Sequence, residues 1–186
     1  MSDFAKAIEM VIATHEGGFQ KRVDDPGNWT PAGELRGTKF GISAQSFPDV
    51  DIEALTLNEA EELYRKIWGM FAALEDQGVL TKVLDLAVNM EWAGRGPAVV
   101  ILQKAIAICG GHVEQDGIFG AQTAEEANKI DGQWLLDVIC TQAKAHYKAL
   151  EAARPEMKAW FAAWNDRASW IPPGEEAGDR RDRVIG

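Results

Sequence analysis

The sequence predicts a mainly α fold with a small β-hairpin and loop region in its N-terminal part. Three observations carry this. Apolar residues recur at helical spacing through most of the 186 residues. Helix-start and helix-stop residues bracket those stretches. Residues 19–48 lack the spacing; there the turn-rich runs DDPGN and PAGELRG lead into the short, extended TKFGIS.

Taken in order, the first helix covers residues 2–15. Phe4, Ile8, Val11, Ile12 and His15 share one face, at i, i+4, i+7, i+8 and i+11. Ser2 or Asp3 caps its start, and Gly17 with Gly18 is expected to end it in a left-handed turn. Residues 19–48 form a long loop with one small hairpin, and so long an irregular stretch points to function. Thr56 and Glu59 make a capping box that opens LNEAEELYRKIW. Residues 78–90 form the next helix, around Val79, Val83, Leu86, Ala87 and Met90. EWAGRGP breaks the chain and sets a soft boundary at 94–96. Pro97 opens an apolar helix to residue 109. The loop GGHVEQDGIFG precedes a short helix at 123–128. A long helix at 134–150 is ended by Arg154-Pro155. Residues 156–170 form a last, Trp-rich helix. Trp68, Trp134, Trp160 and Trp164 fall in helices and are assigned to the core. The expected organisation is a lobe of residues 1–95, a helical lobe of 96–171 packed on it as one compact unit, and a mobile tail of 172–186.

Hydrophobic residues make up 46% and charged residues 26%, as in ordinary globular proteins. The formal net charge of −10 excludes a non-specific nucleic-acid binder, which needs a basic footprint. Arg180, Arg181 and Arg183 alternate with Asp179 and Asp182 and read as solvated tail. Cys109 and Cys140 read as buried free thiols. Scattered histidines give no metal signature, so no metal or cofactor is expected. No apolar run approaches the roughly 18 residues of a membrane span, and no secretory signal is recognised. The chain reads as made in the cytoplasm, without membrane insertion.

Glu16 stands at the last turn of the first helix, beside Ile12 and Phe19. Apolar neighbours and the negative end of a helix dipole both disfavour an ionised carboxyl, which would make Glu16 a proton donor. Its other reading is a surface residue at a helix end. Glycoside cleavage uses a second carboxylate, and Asp24 or Asp25 could face Glu16 across the glycine turn. Equally, Asp25-Pro26-Gly27 could simply initiate a turn. Trp29 belongs to no helix and Trp92 follows the helix end; either could stack on a sugar or sit in the core. Asn89, near the end of a buried helix, needs a partner in the backbone or a cleft.

HEGGF, DDPG, TKFGIS, the block from Thr56 to Trp68, DLAVNM, and LQKAI followed by QDGIFGAQT occur in that order in glycoside hydrolase family 108. The chain resembles this family over residues 4–167. The resemblance implies a lysozyme-like helical fold, with a later half similar to a helical peptidoglycan-binding region. It carries the catalytic glutamate onto Glu16 and puts Thr38 and Asn89 near the cleft. Asp116, Gly117, Gly120 and Thr123 match a turn of the binding region, where the glycines read as turn formers. Two departures stand out. WTPAGELRG is inserted before the TKFGIS block, so the β-like region should be longer. AAWNDR replaces the Gly-Trp pair common in relatives.

The function implied is an N-acetylmuramidase that cleaves the β-1,4 bond between N-acetylmuramic acid and N-acetylglucosamine. Glu16 would be the acid, assisted by Asp25 or Asp24, with Trp29, Thr38, Asn89 and Trp92 contacting substrate. Peptidoglycan is the expected partner of a monomer, and the acidic chain should bind it through groove contacts that tolerate salt. A phage endolysin released through a holin is the expected role; a bacterial muramidase serving export fits the same sequence. A lytic transglycosylase and a non-catalytic peptidoglycan-binding accessory protein are the alternatives.

Overall fold

The computed structural model describes residues 2–90 and 94–173. Trp92 and all but the first two residues of the expected tail lie outside them. The helices are α1 (Phe4–Thr14), α2 (Leu57–Trp68), α3 (Gln77–Met90), α4 (Pro97–Ile108), α5 (Ala121–Asn128), α6 (Gly132–Ala153) and α7 (Phe161–Ser169). The strands β1 (Thr38–Lys39) and β2 (Ile42–Ser43) pair antiparallel, Thr38 opposite Ser43 and Lys39 opposite Ile42.

Helix α3 is the axis of the fold. Every residue from Gln77 to Ala87 is buried, because α1, α4, α6 and α7 all pack on it. One apolar core therefore runs from Phe4 and Ile8 through Leu80 and Leu84 to Ile106, Ile139 and Ala168. The start of α1 is tied to α3 by a reciprocal pair: the Asp3 amide donates to Gln77 Oε1 at 2.6 Å, and Gln77 Nε2 donates to the Asp3 carbonyl at 3.1 Å. The capping box of α2 is present, with both Thr56–Glu59 bonds formed.

The loop region is organised around Asn28, which is fully buried. Its side-chain amide donates to Gln20 Oε1 and the Arg22 carbonyl, and its Oδ1 accepts from Gln20 and Thr38. Its carbonyl accepts from the Arg36 and Gly37 amides. Gln20 also pairs with Thr38 through the backbone, which extends the hairpin by one rung. The inserted WTPAGELRG folds back on itself, with Trp29 opposite Leu35.

Phe40 and Gly41 form the two-residue turn between β1 and β2, with φ of 52° and 75°. That is the left-handed pair a tight hairpin needs. A non-glycine there costs roughly 1–2 kcal/mol. Phe40 is held by its amide bond to the Gly17 carbonyl and by Tyr64 Oη, which donates to its carbonyl at 3.0 Å.

Several expectations change. Helix α1 stops at Thr14, and the His15 and Glu16 amides both reach the Val11 carbonyl. Gly17 and Gly18 are not in the left-handed region, so they do not end the helix in the expected way. The last segment is not one helix: Pro155–Trp160 is a 3-10 turn kinked at Met157, and α7 follows it. Trp134 is 52% exposed rather than core, because it sits in the first turn of α6, on the solvent side. Cys140 is buried and Cys109 half-buried, both free.

Candidate active site

A groove of about 690 Å³ runs between the loop region and the helices. Glu16, Gly17, Gly18 and Asp25 line it from the segment after α1, Thr38 and Phe47 from the hairpin side, and Asn89 from α3. Trp160, Trp164 and Arg167 line it from the last helical segment. A Cβ at Gly17 or Gly18 would meet nothing within 4 Å. These glycines keep the groove beside Glu16 open, which gives them a reason other than helix termination.

Glu16 is pinned by three elements. Its side chain is 14% exposed, and Oε1 accepts from Arg167 Nη2 at 2.6 Å. A Cβ at Gly41 would lie 3.1 Å from Glu16 Cγ and 2.5 Å from Tyr64 Oη. The hairpin turn can press on the acid because position 41 has no side chain. The Glu16 surroundings thus differ from the purely apolar ones expected: the carboxylate is the partner of a guanidinium.

That guanidinium belongs to a buried charge network. Arg167 Nη1 donates to both the carbonyl and Oδ1 of Asp85 at 2.7 Å. His15 Nδ1 lies 2.8 Å from the same Oδ1. Lys82 Nζ sits 3.8 Å from Asp85 Oδ2 and donates to the carbonyls of Arg167 and Trp170, the latter at 2.9 Å. Lys82 and Asp85 are fully buried and Arg167 nearly so. Burial pulls the Lys82 ammonium below its ordinary value, against the opposing pull of Asp85. Burial acts the same way on Arg167, but Asp85 and Glu16 outweigh it and the guanidinium stays charged. Lys82 and Arg167 thus face Asp85 and Glu16 within one buried cluster.

Two tyrosines fix the neighbouring parts. Burial and the nearby Glu16 push the Tyr64 phenol well above its usual value. Burial likewise raises Tyr147, whose Oη donates to Asn89 Oδ1 at 2.8 Å. The bond holds the Asn89 side chain, which lines the groove. Trp164 stacks on the Tyr147 ring at 5.7 Å and 20°.

The structure separates the two aspartates. Asp25 lines the groove while Oδ1 caps the Gly27 amide and Oδ2 accepts from Gln20. Asp24 is exposed, outside the groove lining, and bidentate to Arg22, whose hydrogen bonds hold its carboxyl below the usual range. Trp29 is also outside the lining; its indole N–H is spent on the Val23 carbonyl at 3.0 Å. Thr38 lines the groove with its hydroxyl donated to Asn28. Trp160 and Trp164, assigned to the core from sequence, stand on the groove wall.

Sequence reasoning missed Arg167, Asp85, Lys82 and Tyr64. Asp85 carried a signal, because an acid inside an apolar helix must have a partner. Trp160, Trp164 and Arg167 also fall at i, i+4 and i+7, one helical face.

A larger concavity, about 830 Å³, lies between α4, α6 and the turn at Asp116–Ile118. Among the described residues its one carboxylate, Asp116, is bonded through Oδ1 to the Ile118 amide and Gln103. The smaller groove is lined by three carboxylates, Glu16, Asp25 and Asp166, and is therefore the candidate active site.

Residues 9–90 match the family model described as glycosyl hydrolase 108, and residues 97–169 match one described as a predicted peptidoglycan domain. The chain is similar to a solved structure of SagA from Brucella abortus, at 27% identity and a TM-score of 0.61, over 89% of this chain and 92% of that one. No curated protein matches.

Proposed function

We propose that the chain, whose residues 9–90 match glycosyl hydrolase 108 and residues 97–169 a predicted peptidoglycan domain, is a glycoside hydrolase acting on peptidoglycan, an N-acetylmuramidase with Glu16 as its acid. The observation that carries this reading is the convergence of Glu16, Asp25 and Asn89 on one groove beside an aromatic wall of Trp160 and Trp164. A glycan strand laid in the groove would bring a β-1,4 oxygen to Glu16 Oε2, since Arg167 occupies Oε1. Protonation of that oxygen releases the leaving sugar as an oxocarbenium-like state forms. Asp25 faces that state and orients water or stabilises the cation. Gln20 and the Gly27 amide hold its two oxygens in place. The Asn89 amide donates to a substrate oxygen, and the tryptophan faces pack on sugar rings.

We place this activity in wall breakdown during phage lysis of a host. Expression inside a bacterium should then clear the culture when a holin is co-expressed and leave it turbid without one.

The decisive test pairs turbidity clearing of purified walls with mass spectrometry of the products. Glu16→Gln should lower clearing by about 100-fold or more while circular dichroism stays unchanged. Wild-type products should end in reducing N-acetylmuramic acid. Activity retained in the variant removes Glu16 from the chemistry, and 1,6-anhydro ends would make the enzyme a transglycosylase.

A further inference from the structure

The family matches divide the chain between residues 90 and 97, as if one part cut and the other held the wall. The geometry crosses that line. The group that grips Glu16 is Arg167, 151 positions away in sequence, on the last helix of the peptidoglycan-domain match. We propose that Arg167 is a positioning residue for Glu16, so that the second region completes the active site rather than only tethering it to substrate. This rests on the reading of Glu16 as the acid.

A guanidinium offers a rigid fork, and here its two ends serve different masters. Nη1 is fixed on Asp85 by two bonds of 2.7 Å, to its carbonyl and to Oδ1. Nη2 is thereby aimed at Glu16 Oε1, 2.6 Å away. Asp85 is immobile because it sits in the middle of α3, the most buried helix. The Arg167 backbone is immobile because Lys82, from the turn of α3 before Asp85, donates to its carbonyl. The path from the fold's axis to the acid contains no freely rotating link. Fixing Oε1 restrains the carboxyl of a residue that lines the groove. The charged and titratable groups around Glu16 are His15 just before it, Asp85 and Lys82 on α3, Tyr64 on α2, Tyr147 on α6, Asp166 and Arg167 on α7, and Asp25 in the groove lining.

The role has a kinetic signature. Losing the fork lets the acid rotate, so the chemical step slows while substrate binding, made mostly elsewhere in the groove, changes little. A misplaced catalytic group costs on the order of 100-fold in rate.

The test uses the full chain with Arg167→Lys, Arg167→Gln and Glu16→Gln. Each is measured for kcat and KM on solubilised glycan strands, with thermal unfolding alongside. Arg167→Lys keeps the buried cation and so keeps the fold, but it cannot reach Asp85 and Glu16 at once. It should lose about 10-fold or more in kcat with KM within about 3-fold of wild type. Arg167→Gln should lose more. A folded Arg167→Lys with wild-type kcat overturns the positioning role, whatever happens to Arg167→Gln. So does a loss confined to KM. If instead Glu16→Gln stays active, the acid assignment fails first and takes this role with it; an inactive Glu16→Gln beside fully active Arg167 variants isolates the failure to Arg167.

Discussion

The wall of the groove that carries Asp25 and Thr38 is made of loop and two-residue strands, held by amide side chains centred on Asn28. The facing wall carries Asn89, Trp164 and Arg167. It is made of helices, held by an apolar core and by buried charges centred on Asp85. The first is stapled by neutral hydrogen bonds over short stretches of chain, between residues 20 and 38. The second is stapled by ion pairs between residues 82 and 151 positions apart. Neutral bonds each contribute about 1 kcal/mol, and losing one loosens a local loop. A buried charge network is all or nothing, because removing one member strands the others without water. The loop wall is therefore where the groove can adapt to a bulky polymer, and the helical wall is where the acid is kept still.

The largest expected effect tests that contrast directly. Asp85→Ala leaves Arg167, Lys82 and His15 without their shared anion and should cost about 3–5 kcal/mol, read as a shift in the urea unfolding midpoint. A cost under about 1 kcal/mol, no more than a neutral bond, would mean the helical wall does not depend on its charges.

Gly41→Ala probes the point where the walls meet. The position has φ of 75°, and a Cβ would stand 2.5 Å from Tyr64 Oη and 3.1 Å from Glu16 Cγ. Backbone strain and overpacking together should cost about 2–4 kcal/mol, and cleavage should fall further than stability alone explains. Wild-type cleavage in this variant would show that the hairpin does not bear on the acid.

The smallest effect is a pH slope. Tyr147 is pushed above its ordinary value by burial. Below that ordinary value both states hold the proton and the contribution is complete. Above it the unfolded chain ionises first, so stability falls as pH rises, by about 1.4 kcal/mol per pH unit for one group. Tyr64 and the two raised thiols act in the same direction, and Lys82 opposes them. Tyr147→Phe should therefore reduce the alkaline slope by one group's worth between about pH 10 and 11, measured as urea midpoints. Equal slopes in the two proteins would place Tyr147 outside the buried wall.

Local patterns wrote much of this into the sequence. Helical periodicity located the helices, because burial of one face is a property of residues three and four apart. The Thr56–Glu59 capping box could be read directly, since its partners are three residues apart. TKFGIS announced the hairpin. Glu16 was singled out by its place beside glycines, and Asp25 by its turn, which the structure forms while also setting the carboxylate in the groove. Asp24 and Asp25 were indistinguishable in sequence; what parts them is that Arg22 draws one outward and Gln20 holds the other in.

The tertiary structure alone decided what faces Glu16. No spacing rule links a glutamate after α1 to an arginine on α7, because a contact across the core depends on how α1, α3 and α7 stack and not on their separate periodicities. The same holds for Trp160 and Trp164, whose helical pattern gave them a face but not what that face looks onto. A chain fixes its own segments through neighbours it carries along; the electrostatic surroundings of an acid are fixed only when distant segments have packed and expelled the water between them.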